Sequence, residues 1–103
     1  MLKLVFFVPE SHKEKVKKAL FEIGAGSMNK YEQCSFEVEG VGQFCPQNGA
    51  NPFLGQNEML EKVREFRVEM ILKNELATTA KKILLQAHPY EVPAFEFFEI
   101  LDI

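Results

Sequence analysis

Leu2, Leu4, Phe6 and Val8 alternate with Lys3, Val5 and Phe7 at the start of the chain, and a period of two puts every second side chain on one face of a strand. The spacing of Ser11 and Glu14 then has the form of a capping box, which predicts a helix opening at Ser11. Val16, Ala19, Leu20 and Ile23 recur at helical spacing as its buried stripe, and Gly24 and Gly26 suit a left-handed ending. Period two returns over residues 31–38, with Cys34, Phe36 and Val38 expected inward and Gln33, Ser35 and Glu37 outward. From 40 to 55 the pattern dissolves into glycine, asparagine and proline, so a long loop is expected there.

A third strand is predicted over 63–72, with Phe66, Val68, Met70 and Leu72 inward and Glu65, Arg67 and Glu69 on the other face. Asn74 is placed to cap a second helix whose stripe is Leu76, Ala80, Ile83, Leu84 and Ala87, and Pro89 stops it. Residues 95–101 form the last strand. The order βαββαβ is that of a ferredoxin-like α+β sandwich, in which two helices on right-handed crossovers cover one face of a four-stranded antiparallel sheet. A chain of 103 residues fits one such domain, spanning 1–103. Its other sheet face is not plainly polar: Val5 and Phe7 point there, and the adjacent Phe97 and Phe98 cannot both point inward. An apolar face of that kind predicts a homo-oligomer.

Composition narrows the partners. An apolar fraction of 47% with 26% charged residues is that of a globular chain. A net charge of −3 and a pI near 5.4 provide no basic footprint for nucleic acid. Lys13, Lys15, Lys17 and Lys18 are interleaved with Glu14 and Glu22 on outer helix faces and read as a solvated surface. Residues 1–8 lack the flanks of a signal peptide, and no stretch has the roughly 20 apolar residues of a membrane span, so no membrane partner and a cytoplasmic location are expected. Cys34 and Cys45 are too few for a zinc motif and are expected as reduced thiols, Cys34 buried and inert.

Candidate chemistry is sparse. His88 and Glu91 stand three residues apart at a helix end, where an imidazole and a carboxylate can share a divalent cation. They are half a metal site, and the alternative is that His88 satisfies helix-terminal carbonyls while Tyr90 packs. His12 reads as a surface residue. Neither cysteine nor Ser27 nor Ser35 has a partner base, so catalysis is not expected. The Gly40-x-Gly42 pair opens no helix and fails the dinucleotide pattern. In the loop over 42–58, Asn48, Gly49 and Asn51 offer amides and flexible backbone that can wrap a ligand, and are equally ordinary turn formers.

Two longer segments carry a family resemblance. One is Gly40-Val41-Gly42-Gln43-Phe44-Cys45-Pro46, continuing through Gly49-Ala50-Asn51-Pro52-Phe53-Leu54-Gly55 to Glu65-Phe66-Arg67-Val68-Glu69, and the other is His88-Pro89-Tyr90-Glu91-Val92-Pro93-Ala94. With Gly24-Ala25-Gly26 and Tyr31-x-x-Cys34-x-Phe36, they resemble the YqfO-type insert domain of the Ngg-interacting factor three family, which is similar in fold to PII signalling proteins and CutA-like trimers. These 103 residues contain no counterpart of the family's dinuclear metal domain, so its chemistry is not carried over. The resemblance implies a non-enzymatic regulatory module, most simply a homotrimer. Such a module would sense a small molecule, or dock a protein, through Gly42, Phe44, Asn48, Gly49, Asn51, Glu65 and Arg67. The alternative is a CutA-like divalent-metal protein using His88 and Glu91. No cofactor is specified.

Overall fold

A computed structural model describes all residues, 1–103, as five segments of strand and helix plus one short 3-10 turn and a closing strand. Strand β1 (Leu2–Pro9) leads directly into helix α1 (Glu10–Glu22). Strands β2 (Phe36–Phe44) and β3 (Glu61–Leu72) follow, then a 3-10 turn over Asn74–Leu76, helix α2 (Ala77–Ala87) and strand β4 (Phe95–Glu99). The sheet order is β2-β3-β1-β4, antiparallel throughout, as the ferredoxin-like sandwich requires.

The core is the one that the alternating pattern indicates. Leu4, Phe6 and Val8 of β1 stand opposite Met70, Val68 and Phe66 of β3. All six are buried against Val16 and Leu20 of α1 and Ala80 and Leu84 of α2. Leu76, Ile83 and Ala87 pack at the margin, and Phe95 and Phe97 of β4 complete the floor. Burying a large aliphatic or phenyl side chain contributes about 1.5–3 kcal/mol, so this cluster dominates stability.

Both helix starts depart from expectation, whereas both helix ends lie where the sequence places them. Helix α1 starts one residue early, after Pro9, and no side chain caps it; Ser11 Oγ instead meets His12 Nδ1 at 2.8 Å. The capping box does not form, because β1 runs straight into the helix and leaves Ser11 inside the first turn. Asn74 caps nothing with its side chain, since the chain first makes a 3-10 turn. The end of α1 is as expected: Gly24 adopts φ +102°, its N–H donates to Phe21 O, and Ala25 N–H donates to Leu20 O. That is a Schellman ending, and its left-handed residue favours glycine. Helix α2 stops at His88, whose extended backbone is what a following proline imposes.

Strand two differs most. It covers 36–44 rather than 31–38, so Gly40 and Gly42 lie inside a strand and Cys34 lies before it, half-buried. Its faces are also reversed. Glu37 and Glu39 pair with Val68 and Phe66 and share the helix face, whereas Phe36 and Val38 pair with Glu69 and Arg67 on the open face. β2 is an edge strand, and lysine side chains of α1 reach over to it. Lys13 Nζ and Lys17 Nζ donate to the two Glu37 carboxylate oxygens at 2.6 and 2.8 Å, and Lys13 lies 4.0 Å over the Phe66 ring. The hydrogen bond from Lys13 is the chief cause holding the Glu37 carboxyl below its ordinary range.

The open face therefore presents Phe36 (64% exposed), Val38 (45%) and Phe98 (48%), rather than the residues of β1. Val5 is fully buried between Glu69 and Glu96 on the neighbouring strands, and Phe7 is half-buried. Glu69 binds both Lys3 at 3.3 Å and Arg67 at 3.1 Å on this face.

Candidate functional site

The ends of β1 and β2 and the start of β3 meet at one end of the sheet, and two connections fold over that end. The first is the loop after β2, whose base is closed by a hydrogen bond from Glu58 N–H to Pro46 O at 2.6 Å. The second is the turn after α2, residues 88–94. Asn51 N–H donates to Glu91 Oε2 at 3.0 Å and ties one to the other. Between them lies a cavity of about 330 Å³ with Phe7, Phe44 and Glu65 on its sheet side and Pro46, Phe53 and Tyr90 among its walls.

His88 fixes the turn. It is 6% exposed, and Tyr90 N–H donates to its Nδ1 at 3.1 Å, so that nitrogen carries a lone pair. Nε2 lies 2.6 Å from Phe7 O, a carbonyl that only accepts, so Nε2 carries the proton. Both ring nitrogens are thus engaged in the neutral ring. Burial pushes the His88 pKa down, opposed by the bond to Phe7 and reinforced by His12.

Tyr90 is the centre of the polar arrangement. Its hydroxyl donates to Glu65 Oε2 at 3.2 Å, and its ring packs at a tilt of 59° against that of His88, centroids 4.8 Å apart. Burial, then the nearby Glu65 charge and hydrogen bond, push the Tyr90 phenol up to about 12. Burial likewise raises the Glu65 carboxyl, while the Tyr90 hydroxyl pulls it back. Gly42 stands opposite Val63 on the strand next to Glu65, and a side-chain carbon there would run into the Glu65 carboxylate. The missing side chain makes room for that carboxylate.

The expected site residues separate accordingly. Phe44 and Glu65 line the cavity, Gly42 shapes it, and Asn51 secures its wall through backbone N–H. Asn48 and Gly49 are exposed in the loop and do not line it. Arg67 points to the open face, paired with Glu69 and 6.0 Å over the Phe7 ring. Both ring nitrogens of His88 and one carboxylate oxygen of Glu91 are held by the protein, and no group of three or more His, Cys, Asp or Glu side chains is arranged to hold a metal. Holding a metal with His88 and Glu91 would require these bonds to break. Sequence reasoning missed Phe7, Phe53 and Tyr90 as cavity residues. Tyr90 was within reach, as the aromatic in a segment already singled out.

The fold is that of a PII/CutA-like domain, and comparison with solved structures agrees. CutA of Pyrococcus horikoshii superposes with a TM-score of 0.73 over all of this chain and 87% of its own length, at 20% identity. A Bacillus cereus protein related to NIF3 matches more closely in sequence: 39% identity, TM-score 0.84, covering 98% of this chain and 26% of that one. A Halalkalibacterium halodurans protein named GTP cyclohydrolase 1 type 2 homolog is 37% identical over 102 residues, 99% of this chain. No protein-family profile matches the chain. The chain has the PII/CutA-like fold and is similar over nearly all its length to one stretch of NIF3-related proteins, spanning about a quarter of the length of the curated relatives it matches.

Proposed function

We propose that this domain is a non-enzymatic, self-associating binding module whose ligand sits in the cavity between the 45–54 loop and the 88–94 turn. The observation that carries this reading is the cavity itself. It is mostly apolar, with a few fixed polar groups converging on it, which is the usual make-up of a small-molecule site. The sheet beneath and the hydrogen-bonded turn beside it hold its walls in place. The one thiol on its wall, Cys45, has Gln47 Nε2 as its polar neighbour at 3.7 Å rather than a base, so a binding role suits the site better than thiol catalysis. Because Phe7, Phe44 and Glu65 also belong to the open face, a second copy seated on that face would rim the cavity, coupling ligand to assembly. A trimer is the arrangement we favour for the assembled domain.

The test is a fragment screen read by protein NMR. Ligands of this site shift the backbone amides of 43–46, 50–54 and 90–94 together, and Ala94→Trp, which fills the cavity from its lining, abolishes the response. Hits that leave those amides unmoved, or that survive Ala94→Trp, would reject the site.

A further inference from the structure

We infer that the ligand of this cavity is a small organic cation, an ammonium group carried on an apolar or aromatic body. This rests on the reading of the cavity as a ligand site and specifies the chemistry it selects. Phe7, Phe44, Phe53 and Tyr90 all line it. The Tyr90 ring stands between two of the others, with centroids 6.3 Å from Phe44 and 6.3 Å from Phe53. The negative face of an aromatic ring attracts a cation within about 6 Å of its centroid, so a group of rings around one space is a cation site.

Charge points the same way. Two carboxylates, Glu65 and Glu91, line the cavity, and no lysine, arginine or histidine side chain does. Each has one oxygen held by the protein, Oε2 of Glu65 by the Tyr90 hydroxyl and Oε2 of Glu91 by Asn51 N–H. Those bonds orient the carboxylates; the other Glu91 oxygen carries no hydrogen bond and can accept from a ligand, while the other Glu65 oxygen packs toward Gly42 and contributes charge. A phosphate or carboxylate ligand would instead meet two like charges in a partly desolvated space with no cation to offset them, which disfavours its binding. Lys13 and Lys17 bind Glu37, Arg64 binds Glu10 and Glu39, and Arg67 binds Glu69, while His12, edge-on to Phe53 at 5.6 Å, and Lys62, opposite Gln43, do not line the cavity. A nucleotide is therefore a poor fit, and the volume of about 330 Å³ suits a small ligand.

Three probes with one shape separate the ligand class from the existence of the site: phenethylammonium, phenethyl alcohol and phenylacetate, each titrated into the protein near neutral pH and low salt. Phenethylammonium is expected to shift the amides of 43–46, 50–54 and 90–94 saturably, with the alcohol and the acid weaker by about tenfold or more. Glu91→Gln keeps an oxygen for Asn51 N–H and removes the charge, and it is expected to weaken the ammonium probe severalfold while leaving the alcohol unchanged. If the alcohol or phenylacetate binds as tightly as the ammonium, or Glu91→Gln leaves its affinity unchanged, the cation inference is overturned while the site stands. Failure of all three to move these amides would overturn both.

Discussion

His88→Ala is the most informative single change, because two hydrogen bonds of opposite sense converge on one buried ring. The imidazole accepts from Tyr90 N–H at 3.1 Å and donates to Phe7 O at 2.6 Å, and so pins the 88–94 turn to β1. Alanine leaves that N–H and that carbonyl without partners, at about 1–3 kcal/mol for each group that water does not reach. The Phe7 carbonyl lies under the turn, whereas the Tyr90 segment is half-exposed and partly rehydrated. A loss of about 2–4 kcal/mol follows, or roughly 10–25 °C in Tm for a domain of this size. Guanidinium unfolding followed by circular dichroism, at one fixed protein concentration, measures it. The pH dependence gives a second check. Burial depresses the folded-state pKa of His88, so the unfolded chain takes up its proton first as pH falls below about 6.5. The contribution of His88 is therefore present above that pH and is lost as pH falls through the folded value. The gap between wild type and His88→Ala should narrow from about pH 7.5 to about pH 5. A loss below about 1 kcal/mol, or a gap that widens on acidification, would refute the assignment of both bonds.

Four further outcomes are expected. In a Tyr31→Phe background, ultraviolet titration should find Tyr90 near 12; Glu65→Gln should lower it while burial, the larger cause, keeps it above 10, and a value unmoved by Glu65→Gln would contradict the hydrogen bond. Gly42→Ala should lower it similarly by displacing the Glu65 carboxylate, yet cost under about 1 kcal/mol of stability, because that carboxylate is the end of a flexible side chain. Phe36→Glu should reduce the mass seen by light scattering to that of one 11.8 kDa chain with the core intact, and a wild-type protein already of that mass would remove the case for self-association. Cys45 should alkylate faster than Cys34, and phenethylammonium should slow it, since Cys45 is exposed at the cavity and Cys34 is half-buried away from it; equal slow labelling would mean that the loop is shut.

What the sequence made legible follows the depth of burial. In β1 and β3 each second residue meets both helices, so alternation reports the fold directly, and Leu4, Phe6, Val68 and Met70 lie where their period places them. In β2 the same rule misleads. The strand lies at the edge beyond the helices, its inner face carries Glu37 and Glu39, and the compensation comes from Lys13, Lys17 and Arg64, which are distant in sequence. Period cannot reveal which face is inner when charged side chains rather than helices cover it. Helix starts were misread for a related reason: a capping box is one of several ways to satisfy terminal N–H groups, and a strand entering the helix directly precludes it.

The cavity was half-legible, and the missing half is instructive. Glycine in a strand reads as punctuation, so Gly40 and Gly42 suggested a loop, and the chain between 42 and 58 was expected to supply flexible amides. In the fold Gly42 is instead a strand residue whose lack of a side chain admits the Glu65 carboxylate, and this places that carboxylate where Tyr90, 25 residues on, can donate to it. No local pattern links positions 42, 65 and 90. They meet because the β2–β3 register sets Gly42 beside the strand position of Glu65, and because His88 anchors the turn that delivers Tyr90. The recognising groups thus come from strand ends and a pinned turn, which are rigid, with only Phe53 and its neighbours coming from the loop. A ligand should accordingly find the Glu65 carboxylate and the Tyr90 ring already positioned, and ordering on binding should be confined to residues 50–54 and the Glu91 carboxylate that Asn51 holds.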